Sequence, residues 1–119
     1  MKEEIDLGSG AWCRSVMAKQ YSVDRFVKYV GESIQTQLKL WDSTYEVKII
    51  SDLMAHEDYV FVIDGDTNTY EVRLSGDKAE FLKLRWAFGL DIFLWKSLKR
   101  QGLIIGEERL SYLNYCGIY

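Results

Sequence analysis

Asp64, Asp66 and Asn68 reproduce the first three alternating oxygen ligands of a calcium loop, because a hard cation needs oxygens from residues turned inward at that spacing. The match then fails. Thr69 stands where the loop requires glycine, and Ser75 where a bidentate glutamate must close the site. His56, the single histidine, precedes Glu57 and Asp58, but a zinc site or catalytic triad would have to recruit Cys13 or Cys116 from distant parts of the chain. Ser75 and Lys78 have the spacing at which an amine activates a hydroxyl nucleophile, without the companion motifs of that chemistry. Gly8, Ser9 and Gly10 lack the lysine and the spacing of a phosphate loop. On these grounds no metal, cofactor or catalytic residue is assigned, and the chain reads as a non-enzyme.

Recognition chemistry is better represented. From Asp42 to Glu80 three bases oppose ten acids, whereas Cys13 to Trp41 carries five bases and two acids, and Phe81 to Gly102 five bases and one acid. Opposite fields on different elements of one domain suggest a charged partner or self-association. Asp52, Glu57, Asp58, Asp64 and Asp66 form the expected acidic surface for a basic partner, such as a nucleic-acid-binding enzyme. A second candidate lies between Trp86 and Trp95, where apolar residues point in nearly every direction around a helix. Such an element is buried centrally, is broken near Gly89, or leaves aromatic surface for a partner or a homodimer. Trp86, Phe88, Asp91, Phe93 and Trp95 define that patch, and Asp91 must reach solvent or pair with a base such as Arg85 or Lys99. A third reading gives the basic face of Arg14, Lys19, Arg25 and Lys28 to weak nucleic-acid binding, which the net charge of −3 disfavours.

The elements that must position these groups follow from periodicity. Ser9 or Gly10 is expected to cap a helix through Val30 that stops at Gly31, and Ser22 with Asp24 offers a second cap, leaving one helix or two. From Ser33 the pattern Ile34, Thr36, Leu38, Leu40 alternates as a strand does, and with Tyr45, Val47 and Ile49 it suggests a hairpin, although helix competes over 33–41. Tyr59 to Ile63 is a continuous apolar run expected in a central strand covered on both faces, and Thr69 to Leu74 alternates again after a turn-rich loop. A long helix follows, with Asp77 and Glu80 as a capping-box pair and Gly102 before Leu103 as a left-handed end. The tail beyond Leu103 suits a strand or a short helix. The expected fold is α+β: a two-layer domain with one or two N-terminal helices, an antiparallel meander of three to four strands, a long helix and a short tail.

The 119 residues fit a single domain, 1–119, with 1–8 as a leader. Seventeen aromatics, from eight tyrosines, five phenylalanines and four tryptophans, supply enough area for a compact core and for binding surface. Three early acids exclude an export signal, no apolar run approaches the ~20 residues of a membrane span, and two cysteines suit a reducing cytoplasm as buried thiols. The expected function is stoichiometric protein binding by an inhibitor, immunity or anti-defence protein. The alternative is a small enzyme or ligand-binding domain whose site the spacing does not reveal.

Overall fold

The computed structural model of the chain describes residues 13–52, 58–106 and 112–116. Residues 13–20 are helical (α1) and close through the Tyr21 N–H on the Met17 carbonyl. Ser22, in extended backbone, then starts α2 (Val23–Trp41) by accepting a hydrogen bond from the Arg25 N–H at 3.2 Å. A serine oxygen there satisfies one of the donors that every helix start leaves open. The N-terminal helical region is therefore two helices.

After α2 come β1 (Glu46–Asp52), β2 (Asp58–Asp64) and β3 (Thr69–Leu74), then α3 (Gly76–Arg85), α4 (Gly89–Arg100) and α5 (Tyr112–Cys116). The strands form an antiparallel sheet in the order β1-β2-β3, with Ile49 opposite Phe61 and Phe61 opposite Val72. Tyr59, Phe61, Ile63, Tyr70, Val72 and Leu74 are buried on one face, against α2 and α4. The other face keeps Val60 and Val62 half-buried and Ile50 exposed, so β2 is central but covered on one face, not two. This is the expected two-layer α+β domain.

Two glutamines guard the sheet's edges. Gln35 of α2 accepts from the Val47 N–H at 2.8 Å, and Gln101 clasps the Glu71 backbone, accepting from its N–H at 3.3 Å and donating to its carbonyl at 2.9 Å. A side-chain amide carries the same donor and acceptor as a peptide, so it can stand in for a missing strand.

Four sequence expectations are corrected here. Gly31 does not end a helix: a Cβ there would lie 2.5 Å from Ile49 Cδ1, so glycine lets α2 approach β1. Residues 33–41 are helix, not strand, because Val30, Ile34, Gln37 and Leu38 share a buried face that the two-residue alternation disguised. The sheet accordingly has three strands, and the expected hairpin from 34 to 49 is absent. Third, the N-cap of α3 is Ser75, whose Oγ accepts from the Lys78 N–H at 3.1 Å; this local role, rather than an Asp77–Glu80 box, explains the Ser75–Lys78 spacing. Fourth, the long helix is broken into α3 and α4 at Trp86, whose backbone is extended; Gly89 allows α4 to cross the Leu82 carbonyl, 3.0 Å from where a Cβ would sit. The C-terminal end matches expectation: Gly102 has φ 104° and the Leu103 N–H bonds to the Leu98 carbonyl. Residues 103–106 are irregular and the tail helix is α5. The leader, the expected cap at Ser9 or Gly10, and His56 lie outside the described residues.

Candidate functional site

The break at Trp86 shapes the surface. Within α3 the buried positions are Ala79 and Lys83, while Phe81 and Leu84 point outward, 54% and 66% exposed. Leu82 packs against the core, but a helix that only covered a core would not also turn two large apolar side chains outward. Trp86, the extended residue that follows, is 51% exposed and rests edge-on against Phe88 at 6.2 Å between ring centroids. The Arg85 guanidinium lies 5.6 Å from the Phe81 ring centroid, so a cation borders the apolar patch. Between α1 and the end of α3 runs an open cleft of about 220 Å³, lined by Ser15, Ala18, Lys19 and residues 83–87. Its ionisable lining, Lys19, Lys83 and Arg85, is wholly basic.

The aromatic patch expected from 86 to 95 is thereby redrawn. Trp86 is on the surface, Phe93 is half-buried with Lys78 Nζ 5.6 Å from its ring centroid, and Phe88, Asp91 and Trp95 are buried. Phe81 and Leu84 take the places of the buried three. Their signal was present, because α3 read alone puts Phe81 and Leu84 on the side opposite Ala79 and Leu82 beside it, but reading 76–101 as one helix mixed the two faces.

Beneath the patch lies a closed polar network that the spacing did not reveal. Asp91 is fully buried and pairs with Arg14 at 2.5 Å, not with Arg85 or Lys99. Its other oxygen accepts from the Tyr112 hydroxyl, which in turn accepts from Trp95 Nε1 at 3.2 Å. Arg14 also donates to Ser33 Oγ at 3.1 Å, and its guanidinium lies 4.5 Å from the Phe88 ring centroid. Burial works against the Arg14 charge, but the Asp91 carboxylate more than restores it, and the guanidinium holds its proton above the ordinary arginine value. Burial likewise lifts the Asp91 carboxyl, against the pull of Arg14 and Tyr112, and raises the Tyr112 phenol well above its ordinary value. Each polar group is occupied by a neighbour, so the network fastens α1, α4 and α5 together. Only the need of Asp91 for a base was legible; the base is 77 residues away in the chain.

The expected acidic surface is divided. Asp52 and Asp58 are register partners at one end of the sheet, while Asp64 and the exposed Asp66 lie at the other, ~20 Å along β2 at the usual strand rise. Asp64 accepts from Thr69 Oγ1 at 3.0 Å, which makes the 64–68 segment a hairpin turn. Glu57 lies outside the described residues. Of the basic face, Arg14 is buried, Arg25 sits 3.9 Å from the Tyr21 ring centroid and Lys28 pairs with Asp24 at 3.3 Å, leaving Lys19 to face the cleft. Cys13 is exposed rather than buried, and neither it nor buried Cys116 is disulfide-bonded. Among the described residues no group of His, Cys, Asp and Glu is arranged to hold a metal ion, and no helix is long and apolar enough to cross a membrane. Comparison with protein-family models, curated proteins and solved structures finds no match.

Proposed function

We propose that this chain is a stoichiometric protein-binding module, acting by association as an inhibitor or immunity protein does, and that it docks through the outward face of α3. The observation that carries this reading is a helix apolar on both sides: Phe81, Leu84 and Trp86 are exposed together while Ala79, Leu82 and Lys83 face inward. Exposed large apolar groups next to a cleft are the anchors of an interface, and tryptophan and arginine lead among residues that carry binding energy. The occupant is a partner segment with apolar residues for the patch and acidic residues for Lys19, Lys83 and Arg85. The sign of the steering charge is thus the opposite of the one composition suggested. Acids split between two ends of a sheet support a single docking surface less well than three bases lining one cleft.

The test is affinity capture of the tagged chain from its native lysate, followed by titration of the purified partner. A Leu84→Ser, Trp86→Ser variant and an Asp64→Lys, Asp66→Lys variant run beside the wild type. Leu84, Trp86 and Asp66 are exposed and Asp64 is half-buried, and the cap at Trp86 is made by its backbone N–H, which serine keeps; circular dichroism of each variant checks that folding is preserved. A stoichiometric partner that the first variant loses, that the second retains and that salt weakens is the expected result. Retention by the first variant, or no stoichiometric partner at all, overturns the reading.

A further inference from the structure

We propose that β1 is a self-association edge: two copies of this chain pair their β1 strands antiparallel about Ile50, doubling the sheet. The two guarding glutamines establish which backbone groups face outward. Val47 gives its N–H to Gln35, so it points away from β2, and strand alternation puts Ile49 and Ser51 on the same outer edge. The clasp on Glu71 fits the same parity across the sheet, since Phe61 and Val72 must then be the hydrogen-bonded pair of β2 and β3. Gln101 blocks the middle of the β3 edge with two bonds. Gln35 blocks β1 only at Val47, and the Ile49 and Ser51 edge groups have no partner among the described residues. An unpaired row of this kind is a template for another strand.

The sequence of β1 favours a second copy as that strand. With Ile50 opposite Ile50 of the second copy, the N–H and C=O of Ile49 meet the C=O and N–H of Ser51 across the two-fold axis, and the reverse. Ile50, 55% exposed on the uncovered face, then meets its own image, extending the row it makes with half-buried Val60. The same register sets Lys48, a base, opposite Asp52, an acid, twice. Centring on Ile49 instead would set Glu46 against Asp52 and require the Val47 N–H that Gln35 already holds. The groove beside this edge, lined by Lys28, Gly31, Glu32, Gln35, Val47 and Ile49, carries one base and one acid, so it does not oppose a copy of itself.

Sedimentation of the purified full chain from micromolar to millimolar concentration tests this directly. A concentration-dependent dimer is expected, weakened about tenfold or more by Ile50→Lys and by Ser51→Pro, which removes an N–H without a partner among the described residues. Lys48→Asp and Asp52→Lys should each weaken it, and combining them should restore it, because only this register exchanges those partners. If Ser51→Pro fails to fold, Ile50→Lys and the charge exchange still decide. A monomer throughout, a dimer indifferent to these changes, or one lost only with Leu84→Ser, Trp86→Ser overturns the proposal; the last would place self-association on the α3 face.

Discussion

Replacing Arg14 with methionine keeps most of its apolar stem and removes its charge from the buried network. Asp91 is fully inaccessible and the Arg14 side chain is 5% exposed, so the carboxylate would keep its bonds from Tyr112 and its own backbone N–H but no opposite charge. Removing one partner of such a pair costs ~3–5 kcal/mol, because the remaining charge stays buried. With ~2.1 cal/mol/K of unfolding entropy per residue, 119 residues give ~0.25 kcal/mol/K, so the expected fall in Tm is ~12–20 °C. A double variant, Arg14→Met with Asp91→Leu, removes both charges and should lie within ~2 kcal/mol of the wild type, since an apolar replacement of a buried pair is often nearly neutral. Losing Arg14 also lifts the Asp91 carboxyl further. A carboxyl raised in the folded state supports stability below its unfolded value near 3.8 and withdraws that support as pH rises through the folded value. The deficit of Arg14→Met should therefore narrow as pH falls from neutral toward the unfolded value. Urea unfolding followed by circular dichroism measures all three quantities. A single-variant cost under ~1 kcal/mol, or costs that simply add in the double variant, would refute the claim that this pair is a desolvated, coupled unit.

Tyr112→Phe should cost ~1–3 kcal/mol at neutral pH, since Asp91 loses a donor and Trp95 Nε1 an acceptor. Above pH 10 the gap should shrink in thermal melts, because the wild-type phenol ionises in the unfolded chain before it does in the folded one. Gln37 is fully buried, and neither its Nε2 nor its Oε1 has a hydrogen-bond partner among the described residues, so Gln37→Met, similar in volume, should stabilise by ~1–2 kcal/mol in the same unfolding assay; a loss of stability would show that the amide has a partner. Gly102→Ala should cost ~1 kcal/mol, all of it from backbone conformation at φ 104°, because beyond its chain neighbours no atom of the described residues lies within 4 Å of the added carbon; an unchanged urea midpoint would contradict this.

Local chemistry was readable where one residue type has one job. Ser22 as a cap, Gly102 as a left-handed end and the strands β2 and β3 all depend on neighbours a few residues away. Gly31 was misread because its reason lies in Ile49, eighteen positions on, where β1 packs against α2. The run from Ile34 to Leu40 satisfies both a period of two and a helical face, and tertiary burial chose the helix. The surface followed the same rule. Trp86 was legible as a member of the candidate patch and is exposed, but Phe81 and Leu84 emerged beside it only once the helix broke, and Asp91, Phe88 and Trp95 turned inward.

The most direct test of docking through α3 is site-specific photo-crosslinking in native lysate, with benzoylphenylalanine in place of Leu84 in one sample and of Asp66 in another. Leu84 is 66% exposed and Asp66 is also exposed, so both probes are accessible and neither disturbs the core. A single partner crosslinked in good yield from position 84 and absent from position 66 is the predicted result. The same partner trapped from position 66 and not from 84 would contradict it, returning the interface to the acidic turn.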